Sequence, residues 1–130
     1  PTIDIDETAK SEVIAGAFMF IRRETLNKTG LLDEDYFLYG EDIDLSYKIL
    51  ESGYFNYYFP EVKITHFKGC STPRRKYDDI FHFYKAMKIY IGKRTNEGKF
   101  RYSAYFIIPG IYLREALALI NRFLKIAFNN

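Results

Sequence analysis

Six of the twelve residues from Asp33 to Asp44 are acidic: Asp33, Glu34, Asp35, Glu41, Asp42 and Asp44. Carboxylates at that density can hold a cation, move a proton, or simply open a helix in solvent. A calcium loop is excluded, because Phe37 and Leu38 stand where its third ligand and its turn glycine would have to be. Glu41 and Asp42 fall at the start of a predicted helix, where each carboxylate gains roughly 0.3–1 kcal/mol from the exposed N–H groups and the dipole. That accounts for those two acids, but not for Asp33, Glu34 and Asp35, nor for Tyr36, Phe37, Leu38 and Tyr39 between the two groups.

Other reactive side chains are sparse. His66 closes the run VKITH ahead of a glycine-containing loop, and His82 lies between Phe81 and Phe83 as packing. Arg74, Arg75 and Lys76 form a compact positive cluster suited to phosphate groups or to a solvated helix start. The single cysteine, Cys70, has no base beside it and no partner for a disulfide or a metal pair, which fits a reducing compartment. No serine elbow, phosphate-cradling glycine loop or zinc spacing is present.

The elements that must position these residues follow from the apolar pattern. EVIAGAFMFI is a nearly continuous apolar run and predicts a buried strand over 12–21, with Gly16 marking a bulge, a close approach by backbone or ligand, or simply tight packing against a neighbour. ETLNKTG predicts a short helix closed by Gly30, with Leu26 inward. A second helix runs from Glu41 to Gly53 with Ile43, Tyr47 and Leu50 on its apolar face, broadened by Leu45 and Ile49; Asp42 and Ser46 flank it. YFNYYF and VKITHF predict two strands joined across Pro60 and Glu61. Helical spacing returns from Asp78 to Gly92, followed by RTNEGK as a polar linker.

The last segment is apolar but broken by Pro109 and Gly110, and Arg114, Glu115, Arg122 and Lys125 deny it the ~20 charge-free residues of a spanning helix. Beyond the break, Ile111, Leu113, Leu117, Ile120, Leu124 and Phe128 predict an amphipathic helix. It either packs on its own domain or serves a membrane surface or a partner.

Composition bounds the rest. At 130 residues, 48% hydrophobic and 28% charged, the chain is one globular domain or a piece of one. A balance of 19 basic against 17 acidic residues argues against nucleic acid as a partner. The acidic first ten residues do not form a signal peptide, and the missing initiator Met suggests a piece of a longer protein. Twelve Tyr and twelve Phe suit half-buried positions near sugars, headgroups or proteins.

AGAFMFIRRETLNKTGLLDEDYFLYGEDIDLSYKILESGY, followed by THFKGCS, resembles the second half of bacterial family 2 glycosyltransferases of the GT-A fold. Gly16, Arg22 to Glu24, Gly30 to Glu34, Tyr36 to Tyr39, Glu41 with Asp42, and then His66, Gly69 and Ser71 occur in that family's order, over about residues 12–75. Lys48 stands where many relatives have arginine.

The resemblance implies an α/β class, α+β in this stretch: a partial GT-A-like fold with a few mixed strands packed on helices and a helical C-terminal end. Residues 1–77 would be the acceptor-side half and 78–130 a helical extension. Asp42 would be the general base of an inverting transfer from a nucleotide-sugar. Glu41, Tyr36, Phe37, Tyr39 and Gly16 would line the acceptor site, His66 would meet the metal, and Arg74 and Arg75 the diphosphate.

The family's nucleotide-binding half and its Asp-x-Asp motif are not expected here, and Asp4-Ile5-Asp6 is a chance match. The expectation is therefore a partner to nucleotide-sugar and a saccharide or lipid-linked acceptor in cell-surface polysaccharide synthesis. Mg²⁺ or Mn²⁺ would serve the full-length enzyme and not this stretch alone, which would be inactive by itself. It would lie in the cytoplasm, free or at the inner face of the plasma membrane, and could pair as a homodimer. The competing readings are a non-catalytic glycan-binding or assembly module and a structural dimerisation domain. Asp42 and His66 on opposite faces would favour the module.

Overall fold

The computed structural model describes residues 4–67 and 77–128. These form two compact units, one holding 4–34 and 41–67 and the other 35–40 and 77–128.

The first unit is α+β. Strand β1 (Ala9–Ser11) pairs antiparallel with β2 (Asn56–Tyr58) in the register Ala9 to Tyr58 and Ser11 to Asn56. Helix α1 (Arg23–Thr29) and helix α2 (Glu41–Glu51) pack on each other, and α2 also packs on β2. Gly30 ends α1 and Gly53 follows α2, each with φ above +80°, the left-handed geometry that lets a helix stop without a Cβ penalty. Leu45 and Ile49 of α2 are buried, together with Thr25, Ser46 and Asn56.

Several expectations change here. The run 12–21 is not a strand, and among the described residues it pairs with no strand in a ladder. A strand exists only where its N–H and C=O groups meet a neighbour's. Here the N–H groups of Ile14 and Gly16 donate instead to side chains of α2. Phe18 and Phe20 are exposed, and the run lines an open cavity of about 970 Å³ with Phe55, Phe59, Val62 and Ile64. The VKITHF run is likewise irregular and exposed; β2 ends before Pro60, which has no N–H to donate to a ladder. The buried face of α2 is the Leu45 and Ile49 side, with Ile43 40% exposed, and in α1 the buried residue is Thr25 rather than Leu26. The strands that do form are antiparallel rather than mixed.

The second unit is helical. Helix α3 (Asp78–Asn96) and helix α4 (Ala104–Phe128) pack along their lengths. Lys88 meets Glu115 at 2.8 Å near the middle of both, and Asp79 at the start of α3 meets Arg122 near the end of α4 at 2.6 Å, so the pair is antiparallel. Helix α3 continues into the expected linker as far as Asn96 and buries Arg94, which pairs with Glu97 at 3.1 Å. Pro109 does not break α4. It leaves the carbonyl of Tyr105 without a helical donor, a loss that water can make good because Tyr105 and Pro109 are both exposed.

Candidate functional site

Asp42 is the second residue of α2, and both of its carboxylate oxygens are held by backbone donors. The N–H of Ile43 donates to Oδ1 at 2.8 Å, and the N–H of Gly16 donates to Oδ2 at 2.8 Å. One turn later the fully buried Ser46 accepts the N–H of Ile14 through Oγ at 3.2 Å. Residues two apart in an extended chain repeat at about 6.6 Å, and residues four apart in a helix at about 6 Å. The near match lets Asp42 and Ser46 serve the 14–16 segment as a neighbouring strand would.

Each carboxylate oxygen has a second lone pair beyond these bonds, so the carboxylate is oriented while still able to accept a proton. Gly16 suits this contact: a Cβ at that position would stand 3.3 Å from Asp42 Cβ and 3.4 Å from Oδ2, so the Asp42 side chain would have to shift by a few tenths of an ångström. The glycine in the apolar run therefore marks a close approach, to the side chain of Asp42.

Asn56 completes the stitching. Its Nδ2 donates to the carbonyls of Glu12 and Ser46, both at 3.0 Å, so one buried side chain ties β2, the 12–16 segment and α2 together. Sequence reasoning passed over it, although an asparagine amid YFNYYF is out of place by strand preference and was the available signal. The i, i+4 spacing of Asp42 and Ser46 was the matching signal on the helix.

The remaining acids separate by role. Asp44 is buried and lies 2.6 Å from Lys48 Nζ, which also reaches Asp33 at 3.4 Å. Burial pushes the Lys48 ammonium toward its neutral form, but hydrogen bonding and charge from Asp44, with Asp33 adding to both, prevail and raise its pKa above the usual lysine value. Asp33 and Asp44 are thereby structural, fastening the loop after α1 to α2. Asp35 belongs to the second unit, paired with Lys93 at 2.6 Å. Glu41 opens α2 beside Asp42.

The aromatic residues of 35–40 also belong to the second unit. Tyr36 is buried beneath Gly40, where a Cβ would approach its ring to 3.1 Å, and Lys93 lies over the ring. Phe37 stacks on His82 at 4.7 Å and Tyr39 meets Phe83 edge-on at 6.1 Å. Phe37 and Tyr39 both keep exposed ring surface, 76% and 40%, whereas Tyr36 keeps almost none.

His66 lines a shallow cavity of about 510 Å³ in the first unit, together with Ala15 and Ala17. Asp42 does not line it, but is bonded to Gly16 between those two alanines. Among the described residues no three His, Cys, Asp or Glu side chains gather as a metal site. Gly69, Cys70, Ser71, Arg74 and Arg75 lie outside the described residues.

Two curated proteins share sequence with this chain. Both are N-acetylglucosaminyl-diphospho-decaprenol L-rhamnosyltransferases of Mycobacterium tuberculosis, from strains CDC 1551 / Oshkosh and ATCC 25618 / H37Rv. Each is 30% identical over 81 residues, which is 62% of this chain and 26% of the relative. The chain thus spans about a quarter of the length of the curated relatives it matches. The similarity supports a glycosyltransferase relationship. No family model matches, and no solved structure matches.

Proposed function

We propose that this chain provides the acceptor side of an inverting glycosyl transfer, with Asp42 as the general base. The observation that carries the proposal is the fixing of the Asp42 carboxylate by the Gly16 and Ile43 N–H groups at the start of α2. The similarity to the two rhamnosyltransferases and the Gly16 to Asp42 resemblance support the same reading.

In the reaction, the acceptor hydroxyl gives its proton to Asp42 while its oxygen attacks the anomeric carbon of a nucleotide-sugar. The bond from that carbon to the diphosphate oxygen breaks on the opposite face, and the nucleoside diphosphate leaves with the electron pair. Attack from the face opposite the leaving group inverts the anomeric centre. A base must lie within hydrogen-bond reach of the proton it takes, which is why orientation of the carboxylate matters.

The acceptor class is a saccharide on a polyprenyl diphosphate, as in the name of the relatives.

The test is the anomeric configuration of the product. Full-length protein, a panel of nucleotide-sugars and a polyprenyl-diphosphate saccharide are followed by proton NMR, and the new linkage should have the configuration opposite to the donor's. Retention, or no transfer to any such acceptor, would contradict the proposal.

A further inference from the structure

Helix α4 is apolar on the face away from α3 as well as on the face that packs against it. The covered stripe of α4 repeats every three or four positions, through Ile108, Ile111, Glu115, Ala118, Arg122 and Ile126. That stripe includes the two charged residues bonded to α3, through Lys88 and Asp79. At about 100° per residue, the opposite arc from Tyr105 round to Phe128 spans roughly 140° and carries no charge. Its large side chains face solvent, as Phe106 (83% exposed) and Leu113 (63%) illustrate. Large apolar residues on an open face of that width are the mark of an interaction surface.

Charge identifies the occupant. Arg114 and Lys125 are exposed, lie on the same flank of the arc, and have no ion-pair partner among the described residues. The one acid of α4, Glu115, is on the α3 side. Two copies joined antiparallel, arc to arc, would bring cations together, and no acid of α4 lies on the arc to answer them in either orientation. An anionic lipid surface answers both features, since the apolar arc enters the acyl boundary while the cations remain at the headgroups. No helix among the described residues is long and apolar enough to cross a membrane, so α4 would lie in the interface.

We propose that the outer face of α4 docks the protein on an anionic phospholipid bilayer, lying parallel to its surface. The inference stands on the second unit alone and does not depend on the chemistry of Asp42.

The experiment is co-sedimentation of the 130-residue chain with vesicles of phosphatidylcholine, with and without phosphatidylglycerol. The wild-type chain should partition onto the anionic vesicles, less so at high salt. Arg114→Gln with Lys125→Gln should weaken partitioning about thirtyfold, from two lost headgroup attractions. Leu117→Ser with Ile120→Ser, both at exposed positions, should weaken it about tenfold or more while the circular dichroism spectrum is unchanged. Absence of binding to anionic vesicles, or binding undiminished in both variants, would overturn the proposal. So would a stable dimer that the serine variant dissociates and that does not bind vesicles.

Discussion

At the residue scale, an excess of acid resolves into distinct tasks. Asp44 and Asp33 hold Lys48, Asp35 holds Lys93, and Asp42 is aimed by two N–H donors at a glycine that leaves it room. Gly16 is the sensitive partner, because an added Cβ already meets Asp42 at 3.3 Å and a branched side chain would have to displace it. Gly16→Val in the full-length protein should therefore cut transfer on the order of a hundredfold or more, the scale of a misplaced catalytic group. Its thermal unfolding should shift by only a few degrees. Activity within a few-fold of wild type would show that the Gly16 contact does not position the carboxylate.

At the element scale, the first unit is held together by a helix that takes over part of a sheet's work. Asn56 is central to that arrangement, since its Nδ2 serves the carbonyls of both Glu12 and Ser46 in a buried setting. Asn56→Ala leaves both carbonyls without this donor and should destabilise the chain by about 2–3 kcal/mol. Urea denaturation would measure this, and a change below about 0.5 kcal/mol would mean water replaces the bonds fully.

The helices were legible in the sequence because their signals are local: Gly30 and Gly53 as stops, acids in the first turn of α2, and the spacing through α3. The expected strands 12–21 and 62–67 were not, because an apolar β-branched run records a preference for a neighbour and not whether one is present. Pro109 misled for a related reason. Its cost depends on whether the orphaned carbonyl reaches water, which sequence does not state. The Gly16 close approach was legible as a break in an apolar run, while its partner Asp42 was reached through the resemblance and through helix position.

At the scale of the whole molecule, the two proposals fall on two different units. The α+β unit holds the fixed carboxylate, and the helical unit turns the apolar face of α4 outward beside a cationic flank. A transferase acting on a lipid-linked saccharide needs both a base and a position at the bilayer, and the two readings remain separable by experiment.

The central claim is the role of Asp42, and single-turnover transfer by Asp42→Asn in the full-length protein tests it most directly. The single amide oxygen can still accept the Gly16 N–H, which keeps the segment in place, while the Ile43 N–H loses this acceptor and the proton acceptor is lost. With saturating donor and acceptor, the rate should fall about 10²–10⁴-fold, the usual contribution of a general base, with acceptor binding and unfolding temperature near wild type. A rate within a few-fold of wild type would contradict the account.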